Sequence, residues 1–123
     1  MTGLDTHPLT ALLIEDNPGD ARLIREMLAE LPGRPVNLEH ADRLASGLDR
    51  VAQGGVDVIL LDLSLPEAQG LDTFQRVRAA APETPVIVLT GLADESVAVR
   101  AVQEGAQDYI YKGDVGQIGR AHV

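Results

Sequence analysis

The run Val56-Asp57-Val58-Ile59-Leu60-Leu61-Asp62-Leu63-Ser64-Leu65-Pro66 decides how the chain is read. Its Val, Ile and Leu residues follow one another without alternation over a span too short for a helix. That is the pattern of a strand buried on both faces, as parallel sheets require. The strand stops on Asp62 and enters a loop that ends at Gly70. An ionised carboxylate is costly to bury, so Asp62 either sits at the rim of the sheet or is heavily compensated. It is a plain polar terminus or the reacting group of a site.

Working outward, similar runs recur and helical stripes separate them. Leu9 to Ile14 is apolar and stops at Glu15-Asp16. Asn17-Pro18-Gly19-Asp20 reads as a helix start: Asn17 can cap, Pro18 suits the first helical position, and Asp20 favours the positive end of the dipole. Leu23, Ile24, Met27, Leu28 and Leu31 then recur at helical spacing, until Leu31-Pro32-Gly33 ends the helix. Val36 to Ala41 alternates weakly, which suits an edge strand with one wet face. Leu44, Leu48 and Val51 mark a second helix closed by Gly54-Gly55. After the strand at 56–62, Leu71, Phe74 and Val77 give a third helix, stopped by Pro82. Residues 85–90 form another buried strand ending on Thr90. Val97, Ala98, Ala101 and Val102 give a fourth helix between Asp94 and Gly105, and residues 108–111 form a last strand that runs into Lys112. Strand and helix thus alternate with short connections, which predicts an α/β domain with a parallel sheet and helices on both faces.

The totals narrow the function. At 123 residues the chain has the size of one domain, with residues 1–8 expected as a flexible lead-in. Aromatics make up 2%, so the core is expected to be Leu, Val, Ile and Ala, and stacking on nucleic-acid bases is hard to arrange. A formal charge of −9 argues against binding nucleic acid or an anionic membrane directly. Without cysteine there are no disulfides, thiolate metal sites or thiol nucleophiles. No apolar stretch reaches membrane length and no signal-peptide pattern opens the chain, so a soluble cytoplasmic domain is the expectation.

Four strands end on reactive side chains: Glu15-Asp16, Asp62, Thr90 and Lys112. In an open parallel sheet these ends share one edge, where ligands bind at the point of strand-order reversal. Strands also end on polar residues for no chemical reason, but four such ends together favour a site. Clustered carboxylates repel, and a hard divalent cation such as Mg²⁺ compensates them while sharing the site with a phosphoryl group. A carboxylate nucleophile can take up phosphorus as an acyl phosphate, with a hydroxyl and an ammonium stabilising the transferring group. The pattern predicts Mg²⁺-dependent phosphorylation of Asp62.

The sequence resembles the receiver domains of two-component response regulators over about residues 9–115. The resemblance rests on Leu13-Ile14-Glu15-Asp16-Asn17, on Leu60-Leu61-Asp62-Leu63-Ser64-Leu65-Pro66 with Gly70, on Val88-Leu89-Thr90-Gly91, and on Gly105-Ala106-Gln107-Asp108-Tyr109-Ile110-Tyr111-Lys112. It implies a doubly wound, flavodoxin-like, three-layer α/β/α fold with a five-stranded parallel sheet of order 2-1-3-4-5. It implies Asp62 as phosphoacceptor and Asp16 as direct metal ligand. Glu15 would act on the metal through water, and the backbone carbonyl of Ser64 would complete the protein's share of Mg²⁺ coordination, with Mn²⁺ as a substitute. Thr90 and Lys112 would bind the phosphoryl oxygens, and Thr90 and Tyr109 would form the switch. The implied partners are a sensor histidine kinase or phosphotransfer protein and a second copy in a homodimer, with no direct nucleic acid and no membrane. The resemblance makes residues 9–123 a single receiver domain cut from a longer protein.

Three departures from the family pattern stand out. Gly113 follows Lys112 where the family usually has a proline in a cis peptide; a cis bond here costs about 2.5–4 kcal/mol, so a trans bond is expected. Ser64 and Leu92 occupy positions that tune phosphate lifetime in the family. Residues 113–119 are glycine-rich where a fifth helix is expected, so that helix is short or truncated.

Other residues have plainer readings. His7, His40 and His122 are scattered, and a solvated surface role is expected of each. Tyr111 reads as packing, Asp57 as a cap or turn, and Arg22 and Arg25 as a solvated face, with a kinase-docking edge as the alternative. A dehalogenase-type phosphohydrolase would need an acid where Ser64 stands, and no glycine-rich phosphate loop follows the first strand. The alternative that remains is a receiver-like adapter that binds protein partners without being phosphorylated.

Overall fold

A computed structural model of the chain describes residues 8–30, 32–33 and 35–113. His7, Leu31, His122, residues 114–119 of the segment expected to hold a fifth helix and the side chain of Leu92 lie outside the described residues. In chain order the elements are β1 (Leu9–Ile14), α1 (Pro18–Glu30), β2 (Val36–Ala41), α2 (Leu44–Ala52), β3 (Val58–Asp62), α3 (Leu71–Ala80), β4 (Val86–Thr90), α4 (Glu95–Gln103) and β5 (Asp108–Tyr111). A 3-10 turn at Leu92–Asp94 leads into α4. The five strands form one sheet of order β2-β1-β3-β4-β5, with every neighbouring pair parallel. The expected order and class are therefore the observed ones.

Consecutive apolar residues in the central strands are explained by the two layers they serve. Leu12, Ile14, Ile59, Leu61, Val86 and Val88 pack on one side with Leu44 of α2, Phe74 and Val77 of α3, and Ala98 and Ala101 of α4. Leu13, Leu60 and Leu89 pack on the other with Ala21 and Ile24 of α1. Successive strand residues face opposite ways, so only a strand covered on both faces can be apolar at every position. β2, at the edge, keeps its mixed pattern.

The helix signals are realised atom by atom. Asn17 Oδ1 accepts the Asp20 N–H at 3.0 Å and caps α1 behind Pro18. Gly105, at φ 122°, ends α4, and the next N–H, of Ala106, bonds back to Ala101 O at 2.9 Å. That backbone conformation is open to glycine and strained for other residues. β3 itself is shorter than the apolar run: Val56 and Asp57 precede it. The Asp57 N–H donates to Thr10 O at 2.8 Å, and Asp57 Oδ2 accepts the Thr10 N–H at 2.8 Å, which pins the entry of β3 to β1. Asp57 thus has a structural role, as a brace between strands in place of the expected cap or turn. No cis peptide occurs among the described residues, so Lys112-Gly113 is trans.

Candidate functional site

The strand ends converge at the carboxyl edge of the sheet. Ile14 pairs with Leu61, Asp62 with Leu89, and Thr90 with Tyr111, so Glu15, Asp62, Thr90 and Lys112 emerge from adjacent strands. Glu15, Asp62 and Thr90 are buried and Asp16 is exposed. One carboxylate oxygen from each of Glu15, Asp16 and Asp62 lies within 4.8 Å of the others. The Ser64 N–H donates to Asp62 Oδ1 at 2.9 Å, and the Asn17 N–H donates to Glu15 Oε1 at 3.1 Å. His40 Nε2 lies 2.7 Å from Glu15 O, so this exposed histidine packs its ring nitrogen on the site's backbone.

Buried carboxylates this close need compensation. Lys112 Nζ supplies it, at 2.9 Å from Glu15 Oε2, 2.9 Å from Asp20 Oδ2 and 3.3 Å from Asp62 Oδ1. Burial pulls the ammonium pKa down, but its close contacts with Glu15 and Asp20 and the charges of Asp62 and Glu15 outweigh it and leave the pKa raised. Lys112 is therefore charged throughout the physiological range. The Glu15 pKa is raised as well, which makes this carboxyl less acidic than usual. Burial first, and then the adjoining Asp62 carboxylate, push its pKa up to about 7, with Lys112 pulling against them. Glu15 Oε2 is buried and makes no well-directed hydrogen bond; its contact with Lys112 is an ion pair off hydrogen-bond geometry. Three clustered carboxyl groups, one with a buried oxygen short of a hydrogen-bond partner, could hold a hard divalent cation.

The chain matches the response regulator receiver domain family over residues 11–118. It belongs to that family. The receiver domain is 37% identical over 101 residues to the uncharacterized transcriptional regulatory protein YkoG of Bacillus subtilis, covering 82% of this chain and 43% of that protein. It is 38% identical over 101 residues to the transcriptional regulatory protein DltR of Streptococcus agalactiae, covering 82% and 44%. To the cell cycle transcriptional regulator CtrA of Caulobacter vibrioides it is 34% identical over 104 residues, covering 85% and 44%. The chain thus spans less than half the length of these curated relatives.

Solved structures agree on the fold. The signal receiver domain of an HD domain-containing protein from Pseudomonas fluorescens superposes with a TM-score of 0.76 at 24% identity, covering 98% of this chain and 88% of that one. The phosphorylated cyanobacterial phytochrome response regulator RcpA gives 0.72 at 24% identity, covering 91% and 89%.

Within the receiver domain, the remaining expected residues sit nearby with less direct contacts. Thr90 donates its hydroxyl to Gly91 O at 3.0 Å. Tyr109 is half-buried on β5 and packs against the larger core. Ser64 is exposed, with its Oγ 3.5 Å from Asp94 Oδ2. Two residues that sequence reasoning left aside also reach the site or its loop. Asp20, read only as a helix-dipole residue, ion-pairs with Lys112. Glu67, in the loop after Asp62, accepts the Leu44 and Ala45 N–H groups at 2.8 and 3.2 Å and caps α2 from outside that helix. Among the described residues, no helix is long and apolar enough to cross a membrane.

Proposed function

We propose that this receiver domain takes a phosphoryl group onto Asp62 from a phosphohistidine of a sensor kinase or phosphotransfer protein in the cytoplasm. The observation that carries the reading is the placement of Lys112 Nζ 3.3 Å from Asp62 Oδ1, beside the Glu15–Asp16–Asp62 carboxylate cluster. An Asp62 oxygen attacks phosphorus, the new O–P bond forms as the P–N bond breaks, and the departing imidazole nitrogen takes up a proton. Asp62 is suited to attack because the Ser64 N–H and the Lys112 ammonium fix one oxygen, Oδ1. Asp16, Asp62 and the backbone carbonyl of Ser64 would hold Mg²⁺, with Glu15 acting through water; the ion supplies positive charge against the phosphoryl oxygens.

Lys112 and the Thr90 hydroxyl would bind the phosphoryl oxygens. Among the described residues the Thr90 hydroxyl bonds its neighbour's carbonyl, and turning toward Asp62 would exchange that bond for one to the phosphoryl group. That rotation would leave room beside β5, and the half-buried Tyr109 would move inward to fill it, carrying the change to the surface. Incubation with acetyl phosphate and Mg²⁺ tests the reading. The wild-type chain should gain one acid-stable, base-labile phosphoryl group, and Asp62→Asn should gain none. A wild-type chain that stays unmodified leaves a phosphorylation-independent adapter as the better account.

A further inference from the structure

Lys112 is the only lysine in the sequence, and its side chain has an unusual number of claims on it. A lysine stem is flexible and costs about 2 kcal/mol of rotamer entropy to fix, so an ammonium held in one place needs partners that hold it. The neighbouring backbone gives little help. The next residue is Gly113, where a Cβ would press on the ring of Tyr111.

The three carboxylates around Nζ are not equivalent. Asp62 Oδ1 is the most distant, at 3.3 Å. Glu15 Oε2 is at 2.9 Å but off hydrogen-bond geometry. Asp20 Oδ2 accepts a full hydrogen bond at 2.9 Å. Asp20 is also itself fixed, because it sits in the first turn of α1 with its N–H bonded to Asn17 Oδ1. Its side chain is 33% exposed, which lets it carry charge at little desolvation cost. It does not belong to the Glu15–Asp16–Asp62 cluster, so no task there occupies it.

We infer that Asp20 is a positioning residue, which holds the Lys112 ammonium over Asp62 from the first turn of α1 so that one N–H remains for the incoming phosphoryl group. An ammonium has three donors. Asp20 takes one in a hydrogen bond, Glu15 and Asp62 draw the others only as ion pairs, and one of these turns onto a phosphoryl oxygen without the stem moving. The inference rests on the phosphoacceptor reading and adds a residue to it.

Two measurements test it. The first is the rate of Mg²⁺-dependent phosphorylation by acetyl phosphate in wild type, Asp20→Asn, Lys112→Met and the double variant. Asp20→Asn should lower the limiting rate about tenfold, the effect of losing roughly 1.4 kcal/mol of transition-state placement. It should have little effect when Lys112 is already methionine. Asp20→Glu should restore much of the rate. An equal effect in both backgrounds, or a rate unchanged or raised by Asp20→Asn alone, overturns the role. If wild type takes no phosphate, the phosphoacceptor reading falls and the positioning role falls with it. If wild type is phosphorylated and Asp20→Asn matches it, only the positioning role falls.

The second measurement needs neither phosphate nor the Lys112 variant. In protein labelled with ¹⁵N-lysine the single side-chain ammonium signal should be sharp in wild type and Asp20→Glu, and broadened by water exchange in Asp20→Asn. An unchanged signal in Asp20→Asn overturns the inference.

Discussion

Glu15 and Lys112 face each other at 2.9 Å with Glu15 fully buried, yet the carboxyl still has a pKa of about 7. Desolvation and the Asp62 carboxylate outweigh the ammonium. Among the described residues, the carboxyl groups around Lys112 outnumber the one ammonium that faces them.

A pH dependence follows from that imbalance. Glu15 has a pKa near 4.5 when solvated and about 7 when folded, so the native state holds its proton more tightly. The resulting stability is complete below about pH 4.5 and is lost as pH rises through about 7. Urea unfolding in EDTA should show wild type losing stability against Glu15→Gln across that window, by at most ~1.4 kcal/mol per pH unit. Parallel curves for the two proteins would contradict the assignment.

Mg²⁺ should reverse the trend. An ion that needs ionised Glu15 nearby binds more tightly as pH rises, by up to about tenfold per pH unit below 7, and stabilises the fold by mass action. Asp16→Ala removes an exposed carboxylate and should not unfold the chain. Its Mg²⁺ affinity by calorimetry should drop by at least about tenfold. Unchanged affinity would remove Asp16 from the ligand set.

Glu67 holds the loop beyond Asp62 to the start of α2, where Arg43 provides no side-chain cap. Glu67→Ala should cost about 1 kcal/mol, the usual worth of a cap, seen as a melting temperature lower by a few degrees. Glu67→Gln should lose less. A melting temperature equal to wild type would mean that the loop and helix hold each other by packing alone.

Gly47 tests how closely α2 lies on the sheet. A Cβ there would stand 2.5 Å from Ile14 Cδ1 and 2.8 Å from Ile14 Cγ1, and Ile14 is fully buried in the core. Alanine is favoured over glycine in a helix by about 1 kcal/mol, while overpacking costs roughly 1–3 kcal/mol. Gly47→Ala should therefore destabilise, and a stabilised variant would show a looser core.

The sequence made most of the fold legible because its signals are local. Runs such as Ile59-Leu60-Leu61 announce a doubly covered strand, and Asn17-Pro18 announces a helix start, without reference to distant residues. The parallel order brought Glu15, Asp62, Thr90 and Lys112 to one edge, which the polar strand ends had suggested. What stayed hidden is contact between side chains and backbone far apart in the chain. Asp20 looks like any acidic residue in a first helical turn, and nothing local says that its partner is Lys112. Glu67 lies outside the helix it caps, where no capping pattern reaches. β3 begins two residues into its apolar run, after Asp57, whose backbone and side chain both bond Thr10.

The central claim is that one carboxylate, Asp62, accepts phosphorus. Reduction of the acetyl phosphate-treated protein with borohydride converts an aspartyl phosphate to homoserine, and peptide mass spectrometry locates it. Homoserine at position 62, with Asp62→Asn giving none, is the predicted result. Homoserine elsewhere, or none in wild type, would contradict it.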